Sequence, residues 1–238
     1  MSTLKSISLA IGVGIVADAS IAKAQGTFGN LDFESANVSQ YTPASTVPIS
    51  DALPGWAGFL GGTPVSTAWY DANSLAGASI AVIDSGLASH GYSPLSGNYS
   101  ALLFGEGGPF PAVPATISQT GDIPAGTLSL LVMMRWQSAT PIVSLGGQNL
   151  NMIPLQTFPN YTLYGANIAS FAGQTTTLSF TAPPPVVGSS FLLLDDITFS
   201  PSAIPEPTAE ALLGLGGSFF GVRLMRRNRF QASKKPMH

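Results

Sequence analysis

The stretch "ATISQTGDIPAGTLSLLVMMRW", residues 115–136, contains two segments that favour strands and a turn between them. The first segment runs from Ala115 to Thr120 and the second from Thr127 to Arg135, and both are rich in apolar and β-branched residues. The intervening "GDIPAG" supplies Gly and Pro, which interrupt regular structure. Short strands joined by such turns are typical of an antiparallel sandwich.

Five further segments have the same strand-like character: Ser79–Ile83, Tyr99–Phe104, Pro141–Leu145, Thr176–Thr181 and Phe191–Phe199. The intervals between them are rich in Gly, Pro, Asn and Ser, and the sequence shows no sustained helical periodicity from residue 26 to residue 200. No internal repeat is visible. We therefore expect an all-β fold, an antiparallel β-sandwich over residues 25–203, as one domain.

The charge of this body restricts its partners. Residues 25–203 carry nine acids against one base, Arg135, a net charge of −8. Such a surface lacks the Lys and Arg that bind phosphates, which argues against nucleic acid and anionic lipid and favours divalent cations or neutral partners. The sequence has no cysteine, so it can form neither a disulfide nor a Cys-ligated metal site.

The N-terminus has the plan of an export signal. Lys5 precedes an apolar stretch from Ile7 to Val16, and small residues flank Lys23 just before the end of the segment. This plan predicts a signal peptide over residues 1–24, with Ala17-Asp18-Ala19 as an alternative cleavage site.

The C-terminus combines a Pro-Glu-Pro triplet, an apolar run at 211–222 and a basic cluster. The run forms about 18 Å of helix, against about 30 Å of hydrocarbon in a bilayer. Local thinning of the bilayer and snorkelling of Arg223 would bring this short transmembrane helix into range. The basic cluster is expected to stay on the cytoplasmic side, which leaves the body outside.

This tail, residues 204–230 followed by a cytoplasmic tail at 231–238, resembles the PEP-CTERM sorting signal of bacterial envelope proteins. The resemblance rests on the triplet and on four arginines: Pro205, Glu206, Pro207, Arg223, Arg226, Arg227 and Arg229. It implies signal peptidase and exosortase as partners during export, with cleavage near the triplet. It also implies a location in the cell envelope or outside the cell, commonly with extracellular polysaccharide. Whether the membrane anchor is transient or persistent is left open.

The body resembles the jelly-roll domains related to carbohydrate-binding modules and galactose-binding-like folds. The motifs are "GNLDFESA", "LPGWAG", "ISQTGDIPAGTLSLLVMMRW", "YGANIASFAGQTTTLSFTA" and "FLLLDDITFSP". The resemblance implies that carboxylates near the first and last strands can hold a structural Ca²⁺, here Glu34 and Asp195 or Asp196.

Residue patterns alone leave the role of Asp195 open. In a regular strand Asp195 shares a face with Leu193, Ile197 and Phe199 and points toward the core. A buried carboxylate needs a partner. A calcium ion, hydrogen bonds from backbone amides and a position at the rim are the alternatives.

Catalytic candidates are few, and we expect no enzyme and no catalytic residue. His90 lies in a Gly- and Ser-rich stretch without a nucleophile motif, and no pair of acids stands out for glycoside hydrolysis. For sugar binding, flat aromatic side chains occur in or beside loops of the first half: Trp56, Trp69, Tyr70, Tyr92 and Tyr99. Trp69 and Tyr70 are predicted as either an exposed platform or packing residues, whereas Trp56 and Trp136 are predicted to lie in the core.

The sequence thus predicts an exported, non-catalytic cell-surface or matrix protein associated with extracellular polysaccharide. A dedicated carbohydrate-binding module with a specific glycan site is the first alternative. A secreted glycoside hydrolase or lyase is the second.

Overall fold

Two β-sheets pack face to face in the computed structural model, which describes residues 26–72, 77–108 and 111–204. The described residues contain fourteen strands: β1 (Ser45–Pro48), β2 (Ala57–Leu60), β3 (Thr63–Val65), β4 (Thr67–Tyr70), β5 (Ser79–Ile83), β6 (Ser100–Glu106), β7 (Ala115–Asp122), β8 (Ser129–Gln137), β9 (Ile142–Leu145), β10 (Gln148–Asn149), β11 (Ile153–Thr157), β12 (Thr162–Asn167), β13 (Thr175–Ala182) and β14 (Ser189–Ser200). Helical structure is limited there to α1 (Ile49–Ala52) and two short 3-10 helices, Ser85–His90 and Ala169–Phe171. The predicted all-β sandwich is confirmed.

The larger sheet has eight strands in the order β1-β4-β5-β6-β14-β8-β12-β11, and the smaller has six in the order β10-β9-β13-β7-β2-β3. Among the described strands, all neighbours run antiparallel except β4 and β5, which are parallel. Residues 115–136 supply β7 to the smaller sheet and β8 to the larger one. The turn quoted first in the sequence therefore joins the two layers.

All seven strands predicted from the sequence are confirmed, as β5 to β9, β13 and β14. The seven strands that the pattern did not predict, β1 to β4 and β10 to β12, lie at the sheet edges or next to them. Edge strands are short and half-exposed, so their apolar residues do not form the continuous runs that mark a central strand such as β5, which is buried at every position.

The main core lies between the sheets. Phe33, Trp56 and Phe180 are buried there, with ring centroids 5.7 Å apart for Phe33 and Trp56 and 6.1 Å apart for Trp56 and Phe180. The indole N–H of Trp56 donates to the carbonyl of Asn30 at 3.0 Å, which satisfies the polar group of this buried ring. The predicted core position of Trp56 is confirmed; Trp136 is half-buried and packs against the same core.

A second apolar cluster lies on the outer face of the eight-stranded sheet, beneath the segment 84–99, which we call the covering segment. The buried members of this outer cluster are Ala81, Ile83, Leu87, Leu95, Leu102, Phe104 and Leu193. Half-buried Trp69, Tyr92, Met133, Tyr161 and Phe191 pack against them. The eight-stranded sheet is thus apolar on both faces in its central strands.

A β-bulge in β14 changes the face on which the residues after Asp195 lie. The register of β14 against β8 shifts between Asp195 and Thr198, and Asp196 has a positive φ of 43°. Beyond the bulge, Ile197 and Phe199 belong to the main core.

Asp195 stays on the outer face, where its carboxylate accepts a hydrogen bond from Ser100 of β6. The prediction that Asp195 shares a face with Ile197 and Phe199 is therefore wrong, because the bulge breaks the two-residue alternation that it assumed. The side chain is fully buried, as predicted, but beneath the covering segment rather than between the sheets.

The pairing of the strands defines two ends of the eight-stranded sheet. At one end β6 begins at Ser100, opposite Ile83 of β5; we call this the Ser100 end. At the other end β8 reaches Gln137, opposite Phe191 of β14; we call this the Gln137 end. The two cavities described below open toward different ends and lie beside different strands, although Trp136 of β8 is level with Leu103 of β6.

No helix within residues 26–72, 77–108 and 111–204 is long and apolar enough to cross a membrane. The predicted signal peptide, the apolar run at 211–222 and the sorting motif from Pro205 onward lie outside the described residues.

The main core predicts the effect of a large-to-small substitution. Phe180→Ala should lower the free energy of unfolding by about 3 to 5 kcal/mol, because Phe180 is fully buried against Trp56. Leu128→Ala is the control and should cost less than about 1 kcal/mol, since Leu128 is 37% exposed. Urea unfolding measures both values, and similar losses for the two variants would contradict this account of the core.

Candidate functional site

A cavity of about 300 Å³ lies at the Gln137 end, where β8 extends beyond its neighbour β12. β12 begins at Thr162, opposite Met134, so the last residues of β8 have no partner on that side in the described pairing. The turn between β11 and β12 forms the facing wall. We call this cavity the aromatic notch; its lining residues are Met134, Arg135, Trp136, Phe158, Pro159, Asn160, Tyr161, Thr162 and Tyr164.

Four aromatic side chains surround the notch. Phe158 and Tyr161 stack across the turn, with ring centroids 4.6 Å apart and planes inclined by 28°. The backbone N–H of Phe158 donates to the carbonyl of Tyr161 at 2.8 Å, which closes the turn over Pro159 and Asn160. Trp136 and Tyr164, like the stacked pair, are half-buried. Ring surface is therefore available beside an exposed amide, that of Asn160.

Arg135, the one base between residues 25 and 203, also lines the notch. Its guanidinium donates to the carbonyl of Gly91 and lies 5.9 Å from the ring of Tyr92 and 5.7 Å from that of Phe191. Its Nε is buried and has no partner among the described residues. Arg135 therefore fastens the covering segment to the sheet.

A second cavity of about 390 Å³ lies at the Ser100 end, between the end of β5 and the loop that leads into β6. We call it the loop cavity; its lining residues are Asp84, Ser85, Pro94, Gly97, Asn98 and Tyr99.

Glu34 holds one side of the loop that forms this cavity. Its carboxylate accepts the backbone N–H of Asn98 at 2.7 Å, the side-chain amide of Asn98 at 2.9 Å and the backbone N–H of Tyr99 at 2.9 Å. Burial raises the pKa of Glu34, but these hydrogen bonds outweigh it and hold the pKa below its ordinary value. Gly97 has a φ of +56°, and a Cβ there would lie 2.3 Å from Glu34 Oε1, so only glycine fits.

Asp195 holds the same loop from beneath. Its carboxylate accepts the hydroxyl of Ser100 at 2.6 Å and the backbone N–H groups of Ser96 at 3.0 Å and Asp196 at 2.7 Å. Burial raises the pKa of Asp195 to about 7, because these hydrogen bonds compensate only in part for lost hydration.

The two acids that the resemblance predicted as calcium ligands thus lie on either side of one loop and accept hydrogen bonds from it. This arrangement matches the hydrogen-bonded alternative for Asp195. Asp196 occupies the bulge and is half-buried. Within the described ranges, no three His, Asp or Glu side chains converge in a way that could hold a metal ion. Calcium binding stays a prediction.

The predicted aromatic pair of β4 is not an exposed platform. Tyr70 is only 8% exposed, and its hydroxyl donates to Asp84 at 2.7 Å. Trp69 is half-buried against the outer cluster. The other oxygen of Asp84 accepts the backbone N–H of Gly86 at 2.7 Å. Of the two residues predicted to bind sugar, Trp69 is thus a half-buried ring packed on the outer cluster, and Tyr70 is a buried ring whose hydroxyl positions Asp84.

Asp71 is buried beside this pair and accepts the backbone N–H of Asp84 at 3.4 Å. Burial, and then the nearby Asp84, raise the pKa of Asp71. His90 is exposed in the covering segment, with Nδ1 3.2 Å from the hydroxyl of Ser89. Neither residue lines a cavity described above.

No protein-family model and no curated protein matches the chain. Solved structures with a similar fold include the carbohydrate-binding module TmCBM61 in complex with beta-1,4-galactotriose. That comparison has 12% identity and a TM-score of 0.43, and covers 74% of this chain and 97% of the other. A second is the enzymatically active domain of tailspike protein 4 of bacteriophage CBA120, with 13% identity, a TM-score of 0.39, and coverage of 73% of this chain and 21% of the other.

The aromatic notch was missed from the sequence, although one signal was present. "FPNY", residues 158–161, places two aromatic residues on either side of a Pro-Asn turn. Because β11 and β12 were not predicted, nothing placed this turn beside Trp136 at the end of β8. Tyr99, by contrast, was among the aromatic candidates and does line the loop cavity.

The buried carboxylate of Asp195 predicts a pH dependence of stability. Its pKa is about 7 in the folded protein, against about 4 in an unfolded chain, so the folded state binds the proton more tightly. The resulting stabilisation is fully present below about pH 4 and is lost as the pH rises through about 7. The free energy of unfolding should fall by at most about 4 kcal/mol over this range.

Asp195→Asn should remove this decline, whereas Asp32→Asn, at an exposed position, should leave it unchanged. Urea unfolding between about pH 4 and pH 8 measures the free energy of unfolding of each protein. The same pH slope in the wild type and Asp195→Asn would show that Asp195 does not titrate in this way.

Proposed function

We propose that the body is a non-catalytic binding module for a neutral polysaccharide and that the aromatic notch is its sugar site. The observation that carries the proposal is the group of four half-buried aromatic rings around one cavity of about 300 Å³. This volume is at the lower end of the range typical of small-molecule sites, and suits one or two sugar units of a chain.

The chemistry of the notch suits a sugar. The C–H groups of a pyranose ring stack on flat aromatic faces, such as those of Tyr161 and Trp136. Asn160 and the hydroxyls of Tyr161 and Tyr164 offer hydrogen bonds to sugar hydroxyls, and neither tyrosine hydroxyl is bonded to another described residue. The net charge of −8 disfavours an anionic chain.

The linings of the two described cavities favour a non-catalytic role. Glycoside hydrolysis by the common mechanisms needs two carboxyl groups across the scissile bond. The notch is lined by no Asp or Glu among the described residues, and the loop cavity is lined by one, Asp84.

The proposal includes export. The last strand ends at Ser200, the backbone carbonyl of Ser202 accepts the hydroxyl of Ser129, and Ile204 directly precedes the Pro-Glu-Pro triplet. Cleavage near the triplet would therefore leave every described strand intact. Signal peptidase and exosortase would act at the two ends and deliver the body to the cell envelope or outside the cell, with a transient or persistent membrane anchor.

Sugar binding is tested with immobilised dextran, galactan, xylan and galactomannan. The wild type should bind at least one of them, and Tyr161→Ala should weaken that binding at least about tenfold, because one stacked ring contributes on the order of 1.4 kcal/mol. Tyr161→Phe keeps the ring and should retain most of the affinity.

Trp69→Ala is the control at the site favoured by the sequence, and should leave binding within about twofold once folding is checked by thermal unfolding. Loss of binding in Trp69→Ala but not in Tyr161→Ala would refute the notch as the site. A wild type that binds none of the four polymers would refute the binding function.

Export is tested by mass spectrometry of the mature protein from its native host. We expect an N-terminus near Gln25 and a C-terminus near Pro205. A full-length chain in the cytosol, with Met1 and His238 in place, would contradict export. An exported chain that keeps its arginine cluster would contradict cleavage at the triplet but would leave export standing.

A further inference from the structure

We infer that the loop cavity at the Ser100 end is a second saccharide site, so that one body can bridge two polysaccharide chains. This inference rests on the proposed function, because it gives both cavities the same class of ligand. It concerns residues that the aromatic notch does not use.

The lining of the loop cavity combines one aromatic ring with groups that hydrogen-bond to hydroxyls. Tyr99 is half-buried, and its hydroxyl bonds to no other described residue. Asn98 uses its amide NH₂ on Glu34 and keeps its side-chain carbonyl as an acceptor. Asp84 accepts the hydroxyl of Tyr70 and the backbone N–H of Gly86, and its carboxyl group also interacts with that of Asp71.

The walls of the cavity are held in place before any ligand binds. Glu34 accepts three hydrogen bonds from Asn98 and Tyr99, and Asp195 accepts the backbone N–H of Ser96. Asp84 is held by the hydroxyl of Tyr70 and the backbone N–H of Gly86. A loop fixed in this way loses little conformational freedom on binding, which favours affinity for a weakly interacting sugar.

The volumes and positions of the two cavities fit separate ligands. The loop cavity, at about 390 Å³, is larger than the notch, at about 300 Å³. In the register of the sheet, Trp136 of the notch is level with Leu103 of β6, three residues from Ser100, which corresponds to about 10 Å at 3.3 Å per residue. The cavities also lie beside different strands, β5 and β6 for the loop cavity and β8 and β12 for the notch. β14 and β8 lie between β6 and β12, which adds about 14 Å across the sheet at about 4.8 Å per strand, so the two sites can hold two chains at once.

The test is a sandwich capture assay with the exported protein. Dextran, galactan, xylan or galactomannan is fixed to a surface, the protein is added, and a soluble, fluorescently labelled sample of the same polymer follows. The wild type should capture the labelled polymer. Tyr99→Ala should still bind the surface through the notch but should reduce capture at least about tenfold, whereas Tyr161→Ala should bind the surface itself at least about tenfold more weakly, as expected above.

Tyr99→Phe is the matched control, because it keeps the packing of the ring and should retain more capture than Tyr99→Ala. Light scattering confirms that each protein is a monomer, and thermal unfolding confirms that each is folded. A monomeric wild type that binds the surface without capturing labelled polymer overturns the second site and leaves the proposed function standing. Unchanged capture by Tyr99→Ala does the same. A wild type that binds no surface refutes both proposals.

Discussion

The hydrogen bonds of the buried Asp195 carboxylate link the loop before β6 to the outer face of the eight-stranded sheet. Asp195 shares the outer face of the eight-stranded sheet with Leu193, and Ser96 and Ser100 donate hydrogen bonds to it there, while the bulge after it turns Ile197 to the main core. These bonds secure the loop that ends the covering segment, and the covering segment buries the outer cluster. Without them an acid would lie uncompensated in an apolar environment. The polar interaction and the second apolar core therefore depend on each other.

The shortage of basic residues explains which groups stabilise the carboxylates of this protein. With one base between residues 25 and 203, carboxylates cannot be satisfied by ion pairs. Glu34 and Asp195 accept backbone N–H and hydroxyl groups instead, and Asp51 and Asp84 accept tyrosine hydroxyls at 2.7 Å each. The acids therefore shape loops, and Arg135 is used to fasten the covering segment through Gly91 and two aromatic rings. A body held in this way combines an acidic surface with rigid loop ends.

Central strands could be predicted from sequence because burial on both faces produces continuous apolar runs, as in β5 and β14. The edge strands β11 and β12 could not, because their exposed side chains are mixed and their pairing decides their conformation. The face of Asp195 was mispredicted for a related reason. A bulge inserts a residue into one strand only, and the opposite strand that reveals it lies far away in the chain.

The strand-rich class, the acidic and cysteine-free body and the core position of Trp56 follow from the sequence alone. These properties depend on composition and on the local pattern of residues. Which aromatic rings line the same cavity, and which acids bond to the same loop, depends on the tertiary structure. Trp136 and Tyr161 line one cavity because β8 extends beyond β12, and Glu34 bonds to Asn98 across 64 positions of chain. Contacts of this kind come from strand order and register, which local sequence does not encode.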